Sequence, residues 1–168
     1  MKHLTIKITV PDYLADWCRH EWPADEPSQP GAVRFPRCSP ENELLELYIR
    51  RVSKDTELPE ENGNLTIEVP FFKNKPPRQW REVTERTRKM LIHALQVRFK
   101  VKLWKDLYKI ERLNAPITDV IYEWMDQNGI TETDKNWETI RQIFYRQRNR
   151  FSRKTGAEDE EIEENDEI

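Results

Sequence analysis

The stretch Lys135–Lys154, KNWETIRQIFYRQRNRFSRK, decides how the chain is read. It holds seven Lys/Arg against one acid, Glu138, with four aromatics between them. Wound as a helix at about 100° per residue, its side chains sort onto two faces. Trp137, Ile140, Ile143, Phe144, Gln147 and Phe151 fall together, on a face fit to be buried. Arg141, Tyr145, Arg146, Arg148, Arg150 and Arg153 take the rest, a face fit to meet something anionic. An amphipathic helix of this length needs neighbours, and the preceding sequence supplies them.

Directly upstream, Ile117–Asn128 is a helix with Val120, Ile121, Trp124 and Met125 inward, and Pro116 sits near its first turn. Gly129 stands where a left-handed C′ residue ends a helix, and Thr131–Asp134 offers N-caps for the next. Residues 116–153 therefore read as helix, glycine-containing turn, helix, the order of a helix-turn-helix. The link from Gly129 to Asp134 is longer than the usual three to four residues. A plain αα-hairpin has the same outline.

Further back, Gln79–Lys100 is a long amphipathic helix through Trp80, Val83, Thr87, Met90, Leu91, Ala94, Leu95 and Val97. Val101–Leu113 continues it with Leu103, Trp104, Leu107, Tyr108 and Ile110. The alternation of Val97–Val101 leaves a short strand as the alternative there. Lys73–Pro77 is a basic, proline-containing hinge.

The N-terminal part has a different character. His3–Val10 alternates apolar and polar residues as a half-buried strand, and Leu65–Phe72 reads as a second strand that pairs with it. Between them lie a short helix, Asp12–Glu21, with Tyr13, Leu14, Trp17 and Cys18 as its apolar stripe, and a second helix. Ser39 caps that second helix with Pro40 at its first position. Leu44, Leu45, Leu47, Tyr48 and Ile49 form its core face, Arg50, Arg51 and Lys54 its C-terminal end, while Glu41, Glu43 and Glu46 face outward. The expected class is α+β: a two-stranded unit with helices over residues 1–76, then a helical unit over 77–156 with the helix-turn-helix-like pair at 116–153. The two units can share one core. Residues 157–168 follow as an acidic tail kept disordered by self-repulsion.

Charge is distributed unevenly. The net charge is −3, but the last twelve residues hold eight acids and no base. Without them 28 bases face 23 acids. Phe71–Leu113 alone has 13 bases and four acids, against eight bases and 13 acids in Met1–Pro70. Together with the basic helix this points to an anionic partner.

Other chemistries lack their residues. No Ser/His/Asp arrangement, glycine-rich phosphate loop or His-Glu-x-x-His is present, so neither an enzyme nor a cofactor is expected. Cys18, His20, Cys38 and His93 are the one conceivable zinc set, but no pair has metal-ligand spacing, and no metal is expected. A Cys18–Cys38 disulfide is the minor alternative to two reduced thiols. No apolar run approaches the roughly 18 residues that span a bilayer, so a soluble, cytoplasmic protein without a membrane partner is expected. Trp22, Trp80, Trp104, Trp124 and Trp137 are read as core, with a homodimer covering part of the aromatic surface as one expected state.

The strings ITVPDYLADWCRHEW, AVRFPRCSPENELLELYI and NWETIRQIFYRQRNRF resemble an uncharacterised group of small proteins from prophages and mobile elements of anaerobic gut bacteria. The resemblance covers residues 3–153. It implies a setting with much nucleic-acid work and carries over no functional residue.

The expected function is a non-enzymatic accessory or regulatory protein that binds nucleic acid, double-stranded DNA first, by phosphate neutralisation and helix insertion. Arg141, Tyr145, Arg146, Arg148, Arg150 and Arg153 are its expected contacts, and the acidic tail either competes with the nucleic acid or is a plain solubilising tail. The alternative is a structural or interaction module whose basic face meets an acidic protein.

Overall fold

Alternation along Leu4-Thr5-Ile6-Lys7-Ile8 puts Ile6 and Ile8 on one face, and both are buried. In the computed structural model, which describes residues 4–25, 29–53, 62–108 and 116–155, this segment is β1 (Leu4–Ile8). It pairs antiparallel with β3 (Leu65–Val69), Ile6 opposite Ile67, as expected. The strands end earlier than the sequence suggests. Beyond Ile8 the ladder is replaced by Asn64, whose side chain bonds both the N–H and the carbonyl of Val10, at 2.9 and 2.8 Å. Gly63 allows this: a Cβ there would lie 2.5 Å from the Ile8 carbonyl oxygen. On the other edge of β3, Val33 donates to the Thr66 carbonyl and accepts from the Glu68 N–H.

The remaining elements are α1 (Asp12–Glu21), α2 (Pro40–Tyr48), β2 (Arg50–Arg51), β4 (Trp80–Glu82), α3 (Glu85–Leu107), α4 (Ile117–Gln127) and α5 (Asp134–Thr155). The architecture is α+β, with helices around two small antiparallel sheets. The Ser39 hydroxyl accepts from the Asn42 N–H and so caps α2, with Pro40 in its first turn.

Two boundaries differ from the sequence reading for one shared reason. Arg50 and Arg51 do not end α2; they form β2 and pair with β4, so Trp80–Glu82 is strand and not helix. The helix begins after Thr84, whose hydroxyl accepts from the Thr87 N–H. A two-residue pairing has no periodicity to announce it. Leu47 is 72% exposed and Tyr48 is also exposed, so the core face of α2 is Leu45 with Ile49 beyond it. Glu41 faces inward, 1% exposed, because Arg98 of α3 bonds its carboxylate at 2.8 Å. Glu43 and Glu46 are exposed as expected.

Residues Val97–Val101 are helical, within an α3 that runs unbroken to Leu107; the expected continuation to Leu113 and the acidic tail lie outside the described residues. Along α3, Thr87, Leu91, Leu95, Phe99, Leu103 and Leu107 are buried at every fourth position. Such a row drifts about 40° per step around the helix, so α3 meets different neighbours along its length. It packs on α1, α2 and α5. Phe99 is the meeting point: its ring lies 4.9 Å from Tyr13, 5.4 Å from Trp17 and 5.6 Å from Trp124. Trp17 in turn meets Trp22, and Trp22 meets Phe35, edge to face. One contiguous core thus runs from β1 and β3 to α5. Trp22 and Trp124 are buried in it, and Trp80, Trp104 and Trp137 pack against it half-buried.

Cys18 and Cys38 are unpaired, the first buried and the second exposed, so the disulfide alternative is not realised. Burial, reinforced by Glu41, pushes the Cys18 thiol far above its ordinary pKa. Among the described residues, no three His, Cys, Asp or Glu come together as a metal site. No described helix is long and apolar enough to cross a membrane.

Phe99→Ala would remove one ring from three aromatic contacts shared by α1, α3 and α4. Truncating a fully buried Phe costs about 3–5 kcal/mol. Urea unfolding followed separately by tryptophan fluorescence and by far-ultraviolet dichroism should show a single shifted transition. Two separate transitions would mean that the halves do not share a core.

Candidate nucleic-acid interface

The turn that delivers α5 is built as the sequence suggests. Gly129 has φ +64°, the left-handed conformation open to glycine. Its N–H donates to the Asp126 carbonyl, and the Ile130 N–H reaches back to Met125. This is a Schellman closure, and Met125 and Ile130 supply its buried apolar pair. A Cβ at Gly129 would also lie 2.7 Å from the His20 ring, so the turn rests on α1. Asp16 of α1 accepts from the Thr131 N–H at 3.1 Å, and Lys135 pairs with Asp12 at 3.1 Å. The link of residues 128–133 is thus held against α1.

The buried face of α5 is as expected at Ile140, Ile143 and Phe144, with Asn136 added. Asn136 is tied back by donating to the Thr131 carbonyl. Trp137 is half-buried and stacked on Tyr122 of α4, ring centroids 5.7 Å apart. Phe151 remains 49% exposed and leans on Trp104 of α3 at 5.5 Å.

The six polar residues expected to form one contact face form two. Arg141, Tyr145 and Arg148 lie on one flank; Arg146, Arg150 and Arg153 lie on the other, roughly 140° around the helix. The first flank is engaged by other side chains of α5. Arg141 bonds both Glu138 oxygens, at 3.0 and 3.1 Å. Its guanidinium also lies 5.3 Å from the Trp137 ring and 5.8 Å from the Tyr145 ring. Arg148 covers the other side of this cluster, 4.7 Å from the Tyr145 ring. The second flank is different. Arg146, Arg150 and Arg153 are exposed, and none has an ion-pair partner among the described residues.

The N-terminal turns of α5, which a recognition helix presents to bases, carry Asp134, Glu138 and a Lys135 already paired with Asp12. Cationic surface is therefore concentrated in the last turns of α5. Sequence reasoning missed the role of Glu138, although its i, i+3 spacing to Arg141 signals the pair.

Much of the positive charge upstream is also engaged. Arg88 bonds the Lys7 and Val83 carbonyls, Arg81 the Ser53 carbonyl, and Lys102 pairs with Asp106 at 3.2 Å. Lys75 bonds the Glu46 carbonyl and lies over Trp80. No protein-family model, curated protein or solved structure matches the chain, so the reading of this surface rests on its own geometry.

Hydrogen bonds from the Arg141 guanidinium and then the Gln142 amide hold the Glu138 carboxyl below the usual carboxylate range. With its folded pKa lowered, the pair's contribution is complete above the unfolded glutamate value and is lost as pH falls through the lowered one. A carbon-13 titration should place the Glu138 midpoint below that of an ordinary glutamate, and Arg141→Gln should move it back up. An unshifted Glu138 in the unmodified chain would contradict the clamp.

Proposed function

We propose that the protein binds nucleic acid, as an accessory or regulatory factor without chemistry of its own, through the outer row of α5. One observation carries this reading: Arg146, Arg150 and Arg153 form an exposed row, at spacings of four and three, on a helix whose opposite face is anchored in the core. Seven residues of helix span about 10 Å. Measured along the axis of a duplex, that is about three steps of roughly 3.4 Å each. Three long side chains spread over that length can reach neighbouring phosphates of one backbone, and planar guanidinium groups suit phosphate oxygens.

The proposed mode is narrower than insertion of a recognition helix. Phosphates are met by the C-terminal turns of α5, while the Arg141–Tyr145–Arg148 cluster stiffens the helix from behind. Base reading by the N-terminal turns is not part of the mode. The acids of residues 157–168 follow the row within a few residues and compete with phosphate for it.

The test is fluorescence anisotropy of a labelled duplex between about 50 and 200 mM salt, where each neutralised phosphate contributes about 0.9 to the logarithmic salt slope. The triple variant Arg146→Gln/Arg150→Gln/Arg153→Gln should weaken binding and flatten the slope by about 2.7. Arg141→Gln should leave the slope nearly unchanged, and a chain ending at Gly156 should bind more tightly at low salt. An unaltered slope in the triple variant, or no binding by the full chain at low salt, would overturn the proposal.

A further inference from the structure

Helix α3 carries a second apolar row that the core uses only in part, since Trp104 packs against it half-buried while Val97 and Val101 are exposed. Met90, Ala94, Val97, Val101, Trp104 and Tyr108 follow one another at alternating spacings of four and three. That is the pattern of a coiled-coil seam. It lies on roughly the opposite side of the helix from Leu95 and Phe99. Val97 is 44% and Val101 61% exposed, and Tyr108 is also exposed. Trp104 stacks on Tyr108 and leans on Phe144 of α5. Between α3 and α5 lies a groove of about 360 Å³, lined by Lys100, Val101, Trp104, Lys105, Tyr108 and Gln147. A row this regular, with Val97, Val101 and Tyr108 exposed along it, is a docking pattern, since scattered single apolar residues do not repeat at seam spacing.

The rim of the seam has one sign. In the heptad that the row defines, the flanking positions are His93, Arg98, Lys100 and Lys105, with Leu91 and Leu107 turned into the core. Arg98 is spent on Glu41 and on the Trp22 ring. Lys100 and Lys105 have no ion pair among the described residues.

We propose that this seam docks an acidic amphipathic helix of a partner protein. Apolar residues at the seam positions of such a helix would cover Val97, Val101 and Tyr108, and its flanking acids would meet Lys100 and Lys105. The rim decides against the other occupants. Two copies of the seam would oppose basic residues in either orientation, since no flanking position is acidic. Nucleic acid would satisfy the lysines and leave two valines uncovered. The chain's own residues 157–168 have the acids, but Ile162 and Ile168 stand six apart, which fits neither spacing of the seam. The inference rests on side chains of α3 and uses none of Arg146, Arg150 and Arg153.

The probe is a designed labelled helix of about 21 residues with Leu at the seam positions and Glu at the flanking ones. Its counterpart has Lys for Glu. Anisotropy with the full chain should show saturable binding of the Glu helix and none of the Lys helix. Val97→Ser/Val101→Ser should weaken binding at least about tenfold while leaving duplex binding unchanged, and so should Lys100→Gln/Lys105→Gln. Four results would overturn the proposal. The Glu helix fails to bind. It binds the Val97→Ser/Val101→Ser variant equally well. The full chain forms a dimer that this variant dissociates. Binding appears only when the acids of residues 157–168 are replaced by their amides, so that the chain's own segment fills the seam.

Discussion

The structure depends on the burial of Phe99. Its ring is in contact with α1, through Tyr13 and Trp17, and with α4, through Trp124. These elements come from opposite ends of the chain. Edge-to-face aromatic contacts add modestly to burial, but they fix geometry as well as free energy. The four-residue repeat around Phe99 drifts about the axis of α3, so one helix serves several neighbours in turn. That is how a chain that reads as two units closes on one core.

From this constraint follows the placement of α5. Its apolar face is held by α3 and α4, and its entry turn is held by α1 through Asp12, Asp16 and His20. What is left is decided by local pairing. One flank spends its cations on Glu138, Trp137 and Tyr145, and the other has no ion pair among the described residues. Net charge along the sequence cannot make this distinction. The basic stretch of residues 71–113 looks like an extended anion-binding surface, yet Arg81, Arg88, Arg98 and Lys102 are all engaged by the protein itself. A sum of charges counts ions before the fold has used any of them.

The pairing of β1 with β3, the Ser39 cap, the Gly129 turn and the buried face of α5 were legible because each has a local signature in spacing or in turn chemistry. The β2–β4 pairing was not, because two residues carry no period. Glu41 was misplaced because its partner, Arg98, lies 57 positions away. The basic surface of α5 was legible in composition and not in shape: a six-residue list spread over more than half of the helix circumference joins flanks that point apart. The seam on α3 was hidden for a related reason. Its residues and the core row together make the helix apolar on two sides, and amphipathic reading looks for one.

An outer row without an ion pair among the described residues is the step that links this fold to the proposed function, and it can be observed at the side chains themselves. Nitrogen-15 spectra of the arginine Nε–H groups, recorded as a duplex is added at low salt, would follow each guanidinium separately. The account predicts shifts at Arg146, Arg150 and Arg153, with Arg141 unmoved in its bond to Glu138. Shifts confined to Arg141 and Arg148, or none at any arginine of α5, would contradict it.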